Sequence, residues 1–335
     1  GVTGGPAFNS DIVAIAAGNY HAIALRSDGT LTAWGNNFSG QAAAPAGIYG
    51  PSVAIWNSPE GGNFLGSYNW LHETPSTAVS DAFFGVPTDP ESTAMPTYSV
   101  DFNADARARF LFISAGNDVT FNLEGKTFRL EENAIIGLQS TFNIDGIGGL
   151  ELKPTKQLHV LDQSQLILGS EAGANGELSL LGPLTVTGGS TVIVGKAGGG
   201  RLTLGAGATA SFTGVNPETP TEGSSLVIGQ LAGSDGQVNI TGGSLSVSHV
   251  LDIGQAGRGI IQLTNQVQLA LNAEADLTLG QLPGSDGTLD VRDTSSVNIP
   301  GGGIVVGRGG TGTLRLAAGA DLMLGGPIRL GVESD

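Results

Sequence analysis

The chain has 335 residues, of which 55 are glycine and none is cysteine, and its formal net charge is −16. The lack of cysteine excludes disulfide bridges and thiolate metal sites, and the acidic balance argues against nucleic acid or anionic membrane surfaces as partners. No apolar run approaches the ~18 residues of a membrane-spanning helix, so membrane insertion is not expected.

The first recognisable unit covers residues 11–47. It contains a Gly-X-X-His motif that ends at His21, a Ser-Asp-Gly-Thr turn at residues 27–30 and a final Trp-Gly-Asn motif at residues 34–36. The turn is of a kind that joins two antiparallel strands. The segment resembles one repeat of the regulator-of-chromosome-condensation propeller family. One repeat cannot close a propeller ring, so we expect only a short antiparallel segment within residues 1–48, with His21 as a structural histidine.

Residues 49–130 form an aromatic-rich entry segment that holds most of the phenylalanines. Strands are predicted at residues 98–102, 110–113, 119–123 and 128–130. Large side chains in the first coils would seal the end of a narrow core, as the terminal repeats of solenoids must. The alternative is a sugar-binding platform built on Trp56 and Trp70.

Residues 131–335 repeat one pattern, in which Leu-X-Leu-Gly is followed by Gly-X-Leu-X-Leu. Residues 277–280 and 287–291 carry it in its clearest form. The anchoring glycines stand at positions 137, 169, 195, 229, 254, 280, 307 and 331, and five of the seven steps are 24 to 27 residues long. A period of this length, with short alternating segments, is typical of a solenoid.

Each unit contains about three short strands in which apolar residues alternate with others, as at residues 276–279, 288–291 and 296–299. Glycines and Asp-Gly pairs between them supply the turns. Long helical periodicity is absent. The sequence therefore predicts an all-β fold: a right-handed parallel β-helix with three strands per coil, preceded by a short N-terminal antiparallel β segment.

The alternation also predicts which side chains point inward. Leu277, Leu279, Leu289 and Val291 should face the core, and Thr278, Thr288 and Asp290 should face outward. The middle position of the second strand is polar in every unit, which predicts a hydrated face. Its members are Glu151, Ser179, Thr203, Asn239, Gln262, Asp290 and Arg315.

The middle position of the first strand changes character along the chain. Its members are Ile135, Ile167, Ile193, Val227, Asp252, Thr278, Val305 and Arg329. The first four are apolar and are predicted to form one outward stripe. Either the segments at residues 138–165 and 205–225 cover this stripe, or it is a lateral contact with another chain.

Between residues 100 and 330 the repeat resembles the glycine-rich repeat of type V autotransporter passengers and PEP-CTERM surface proteins. The Trp-Asn, Asn-Trp and Val-Pro lead-in at residues 56–87 resembles the start of such domains. The resemblance implies export from a bacterium and an extracellular or cell-surface location. We interpret the chain as a piece of a longer protein.

Residues suited to catalysis or metal binding do not group in the sequence. A polysaccharide-degrading β-helix needs several acids at equivalent positions of neighbouring coils, on one outer face. The acids here do not occupy such positions, so an enzyme is not expected. No cofactor is predicted. Asp235 and Asp286 occupy equivalent Gly-Ser-Asp-Gly corners, which are interpreted as turns, with a weak calcium corner as the alternative.

The leading hypothesis is an extracellular structural protein, a rigid acidic β-solenoid that serves as a fibre subunit or a surface stalk. It would self-associate head to tail, with residues 1–50 packed against an adjacent subunit. The alternatives are an adhesin that binds a surface glycan and a polysaccharide-degrading β-helix.

Overall fold

The computed structural model describes most of the chain, and all structural statements below concern these residues. They are 12–17, 21–26, 31–35, 52–71, 75, 80–85, 96–216, 223–272 and 276–331. The described part is almost entirely β-strand, with one short 3-10 turn at Ser67–Asn69. It contains no helix long and apolar enough to cross a membrane.

The described solenoid strands form three sheets, named I, II and III in the order in which each coil visits them. Sheet I contains β4 (Ser52–Trp56), β6 (Trp70–Leu71), β7 (Ser80–Phe84), β10 (Leu111–Ile113), β13 (Ala134–Ile136), β16 (Leu158–Val160), β19 (Leu184–Val186), β22 (Ala208–Phe212), β25 (Gly243–Val247), β28 (Gln268–Leu271), β31 (Ser296–Ile299) and β34 (Asp321–Leu324). Sheet II contains β5 (Gly62–Asn63), β8 (Thr97–Asp101), β11 (Asp118–Asn122), β14 (Thr141–Asp145), β17 (Gln165–Leu168), β20 (Thr191–Val194), β23 (Ser225–Ile228), β26 (Val250–Ile253), β29 (Asp276–Leu279), β32 (Ile304–Val306) and β35 (Ile328–Leu330). Sheet III contains β9 (Ala106–Ala108), β12 (Lys126–Leu130), β15 (Gly148–Leu152), β18 (Asn175–Leu180), β21 (Gly199–Leu204), β24 (Asp235–Thr241), β27 (Arg258–Thr264), β30 (Asp286–Val291) and β33 (Thr311–Leu316).

Successive strands within each sheet pair in parallel, each with the strand one coil earlier and the strand one coil later, except that β6 runs antiparallel to β4. This confirms the predicted β-solenoid with three strands per coil. The ladders cross residue 130 without a break, because β12 pairs with both β9 and β15. The segment boundaries predicted near residues 48 and 130 stay predictions.

A separate antiparallel sheet precedes the solenoid. It consists of β1 (Ile12–Ala17), β2 (His21–Arg26) and β3 (Leu31–Gly35), joined in that order. This confirms the short antiparallel segment predicted from the turn at residues 27–30. The side chain of His21 lies outside the described part of the structure.

The period-2 pattern places the core where the sequence predicts it. Leu277, Leu279, Leu289 and Val291 are all fully buried in one continuous core cluster. Thr278 lies between two core residues and therefore points to the outer face, where it is nevertheless covered, with 5% of its surface exposed.

The turn between sheets II and III explains the two glycines of the repeat motif. Gly280 has a φ of +69°, a backbone conformation that residues with a Cβ avoid. At Gly287 a Cβ would stand 1.9 Å from the carbonyl oxygen of Ile253 in the preceding coil. The first glycine ends the strand, and the second admits the close approach of the neighbouring coil.

A stack of buried polar residues closes the corner between sheets I and II. Ser140, Ser164 and Ser190 are almost fully buried. The Ser140 amide donates to the Ser164 hydroxyl at 3.2 Å, and the Ser164 amide donates to the Ser190 hydroxyl at 3.1 Å. These hydroxyls satisfy backbone groups that the corner would otherwise leave unpaired. The sequence signal is a serine directly before β14, β17, β20 and β23, at positions 140, 164, 190 and 224, and the sequence-based prediction did not use it.

The core position Leu279 gives a stability test. Leu279→Ala should lower the free energy of unfolding by about 2–5 kcal/mol, because it leaves a cavity in a fully packed core. Thr278→Ser is the matched control on the outer face of the same strand and should change it by less than about 1 kcal/mol. Chemical denaturation checks both, and a larger loss for Thr278→Ser would contradict the assigned register.

Candidate functional site

The aromatic entry segment closes the amino-terminal end of the core. Trp56 is fully buried and Trp70 is 5% exposed, and their rings meet edge to face at 5.0 Å. The Trp70 indole donates to the Phe64 carbonyl oxygen at 2.6 Å, and the Trp56 indole donates to the Ser58 carbonyl oxygen at 2.8 Å. The sealing role predicted for these aromatics agrees with this packing. Neither tryptophan presents an open ring face on which a sugar could stack, and glycan binding stays a prediction.

The predicted stripe of four apolar residues divides between two sheets. Ile135 lies in β13 of sheet I, paired with Phe112 and His159. Ile167, Ile193 and Val227 follow one another in sheet II. Aligning Ile135 with them is therefore wrong. Gly137 follows a sheet I strand, whereas the other anchoring glycines follow sheet II strands. The residues before Gly137 have the same apolar pattern as a sheet II strand, which explains the misalignment.

The three sheet II residues form a small buried cluster, with exposed fractions of 0%, 3% and 6% for Ile167, Ile193 and Val227. Elsewhere on this face, side chains that follow the turn glycines reach back over the sheet. Gln255 donates to the Asp252 carboxylate at 3.2 Å, and Ser170 donates to the Asp145 carboxylate. A neighbouring chain could reach the apolar cluster only after its covering moved.

The middle outward positions of the first coils of sheet I form a second apolar surface, which we call the apolar platform. It consists of Ile55, Phe83, Phe112 and Ile135, stacked on successive coils. Phe83, Phe112 and Ile135 belong to a buried cluster, and Ile23 of β2 and Leu31 of β3 pack against it. The antiparallel sheet thus docks on its own solenoid. Packing of this segment on an adjacent subunit stays a prediction.

Charged groups border the platform. Asp81 is fully buried and forms a two-pronged ion pair with Arg109, with both distances 2.8 Å. Burial raises the pKa of Asp81 to about 7, although the Arg109 guanidinium opposes this. His159 follows Ile135 in the same outward column, and burial lowers its pKa below the ordinary value.

The polar residues predicted to form a hydrated face lie in one column of sheet III, where six are exposed or half-buried and Asp290 is 4% exposed. Its seven members, from Glu151 to Arg315, are in register on successive strands. Charged residues on this face pair between neighbouring coils, as in Arg129 with Glu151 at 2.8 Å and Arg201 with Glu177 at 3.2 Å. These pairs offset like charges that would otherwise stack on one another.

Asp235 and Asp286 lie two coils apart with Arg258 between them in register. Arg258 donates to the Asp235 carboxylate at 2.9 Å. No group of three or more potential metal ligands occurs among the described residues. A calcium ion here would have to compete with the guanidinium, and calcium at this corner stays a prediction.

The carboxyl-terminal coil is where the described solenoid exposes its core. Leu316 and Leu330 point inward, yet 44% and 72% of their surfaces are exposed. Their equivalents one coil earlier, Val291 and Val306, are fully and partly buried.

Comparison with known families gives one match. Residues 12–41 match the model of the regulator of chromosome condensation (RCC1) repeat. This covers β1 to β3 and less than one tenth of the 335-residue chain, so it identifies that segment alone. No curated protein and no solved structure matches the chain.

The apolar platform can be tested through Phe112, which faces outward beneath the antiparallel sheet. Phe112→Ser should speed amide hydrogen exchange in β2 and β3 and leave the interior coils protected, because it removes apolar contact area from the docking surface only. Thr185→Ser, in the same column two coils beyond Ile135, is the control. Exchange that rises equally along the whole solenoid would contradict this assignment.

His159 gives a pH test. Because its pKa is lowered by burial, the unfolded chain binds the proton at higher pH than the folded chain. Stability should therefore fall as the pH drops through about 6.5, until the folded-state pKa is passed. His159→Gln should show a shallower loss of thermal stability over this range. The raised pKa of Asp81 acts in the opposite direction, but it is common to both proteins. Parallel pH curves would rule out this role for His159.

Proposed function

We propose that this chain is a structural protein, a rigid acidic rod that serves as a fibre subunit or a surface stalk. The observation that carries the proposal is the continuity of the three hydrogen-bonded ladders over one core. Sheet II alone stacks eleven described strands. At the usual spacing between strands, their ten intervals give a rod about 48 Å long.

Rigidity follows from the way in which the coils are joined. Each coil is bonded to the next along three faces, and the corners are fixed by buried serines and close-packed glycines. Bending the rod would have to open ladder bonds on one side and compress a dense core on the other. A rigid rod of this kind can serve as a spacer or as a subunit that joins end to end.

An extracellular or bacterial cell-surface location is part of the proposal. The resemblance of the repeat to autotransporter passengers and PEP-CTERM surface proteins supports it. The net charge of −16 supports solubility and weak attraction to other acidic surfaces.

The two alternatives have less support. The glycan-binding hypothesis used Trp56 and Trp70, which are both buried. For the enzyme hypothesis, acids of sheet III such as Glu151, Glu177 and Asp235 are paired with arginines. A polysaccharide-degrading site needs carboxyl groups poised for proton transfer or attack.

Small-angle scattering and electron microscopy of the purified chain test the proposal. The expected result is a stiff rod with a solenoid axis of about 48 Å, alone or joined into longer rods. Incubation with bacterial polysaccharides should release no reducing sugar. A flexible or rounded particle would contradict the structural role, and sugar release lost in a sheet III acid variant such as Glu177→Gln would favour the enzyme.

A further inference from the structure

The corner between sheets II and III alternates in length along the described coils between residues 165 and 291. Long corners run from glycine to glycine over eight residues, at 169–176, 229–236 and 280–287. Short corners run over six residues, at 195–200 and 254–259. Residues 171–173, 231–233 and 282–284 of the long corners are exposed, whereas 196–198 and 255–257 of the short corners are half-buried or buried. The long corners therefore form three ridges, and the short corners form the floors of two grooves between them.

The two grooves are alike in size and lining. The first groove lies over the floor at 195–200 and encloses about 420 Å³. The second groove lies over the floor at 254–259 and encloses about 400 Å³. Glycine and alanine dominate both linings. Because neighbouring ridges are two coils apart, ridges and grooves share a spacing of about 10 Å. The ridges of one molecule therefore match the grooves of another.

The second and third ridges are rigid and each presents an apolar side chain. The hydroxyls of Ser234 and Ser285, both 2% exposed, donate to the carbonyl oxygens of Leu231 and Leu282 at 2.7 Å. The two leucine side chains are 47% and 48% exposed. A Cβ added at Gly233 would have open space around it. Such preformed ridges lose little conformational freedom when they bind.

The charge of this corner suits contact with a second copy. The five corners contain the acids Glu171, Asp235 and Asp286 and the bases Lys196 and Arg258, a net charge of −1 in a chain of net charge −16. Asp235, Arg258 and Asp286 occupy the same register position on successive coils. The side chains of Asp235 and Arg258 are 59% and 51% exposed. Two copies can thus meet here without the repulsion that the rest of the acidic chain would cause.

The register of these charges selects an antiparallel arrangement. A two-fold axis across the rod reverses the order of the coils but keeps the position of each residue across the corner. Placed between the second ridge and the second groove, it sets Asp235 of each copy against Arg258 of the other. Of the placements that seat ridges in grooves, this one fills both grooves with ridges that carry a leucine. An axis along the rod would instead reverse positions across the corner and separate Asp235 from Arg258.

We propose that two copies of this chain pair side by side and antiparallel, with the ridges of one in the grooves of the other. Leu231 lies over Ala256 of the second copy, and Leu282 lies over its Ala197. The same surface serves on both sides, so the contact closes on itself. The corner is narrow, so a single pair is weak. The proposal rests on the rod proposed above and adds a lateral contact between rods.

Cysteine cross-linking tests the arrangement, because the chain has no cysteine of its own. Full chains carrying Leu282→Cys and Ala197→Cys, mixed under oxidising conditions, should form disulfide-linked dimers, and so should Leu231→Cys mixed with Ala256→Cys. The matched control mixes Leu231→Cys with Ala197→Cys. In the antiparallel pair these positions are two coils apart, about 10 Å, which exceeds the ~7 Å between Cα atoms that a disulfide can span.

Charge exchange gives a second, independent readout. Sedimentation at high concentration should show weak dimerisation of the wild-type chain. Arg258→Glu alone, or Asp235→Arg alone, should weaken it by about tenfold or more, because like charges then meet across the contact. Mixing these two variants, or combining both changes in one chain, should restore it. Arg129→Glu breaks another ion pair between coils of sheet III, away from the corner, and should leave dimerisation unchanged.

Three results would overturn the pair. They are a wild-type chain that stays monomeric and forms no cross-links, cross-linking of the control mixture as strong as that of the two test mixtures, and dimerisation that neither charge variant weakens. Each of these leaves the rod itself intact. A particle that scattering shows not to be a rod would instead refute the structural role.

Discussion

The hydrogen-bonded ladder between successive coils is the interaction on which the rest of this structure depends. Backbone groups of an interior strand find partners in the coils before and after it, so the narrow core contains few unpaired polar groups. The ladder sets the spacing of about 4.8 Å at which side chains stack. Stacking at that distance is why equal residues recur in columns and why the second motif glycine admits no Cβ.

A ladder of this kind is satisfied in the middle and unsatisfied at its ends, and the two ends differ. At the amino-terminal end, β6 turns back against β4, and buried aromatics such as Trp56 and Phe64 fill the core. At the carboxyl-terminal end, leucines that belong to the core meet solvent.

The outward columns explain how one repeat carries different surfaces. In sheet I the middle outward position is apolar up to Ile135 and continues with His159 and Thr185. Ile23 and Leu31 of the antiparallel sheet pack against the apolar members of this column. An RCC1-type repeat therefore serves here as a cover for one face of a solenoid.

The sequence by itself determined the coil. Period-2 alternation, turn glycines and a step of 24 to 27 residues were enough to predict three parallel strands per coil, the inward leucines and the polar column of sheet III. Each of these depends on residues close together in the chain, where local chemistry determines the strands, the turns and the side to which each side chain points.

Only the tertiary structure decided which strand stacks on which. The segment Ala134–Ile136 reads like a sheet II strand, and its place in sheet I follows from hydrogen bonds to coils more than twenty residues away. The docking of the first sheet was likewise beyond the sequence, because the residues of an apolar strand do not specify which distant surface will cover them.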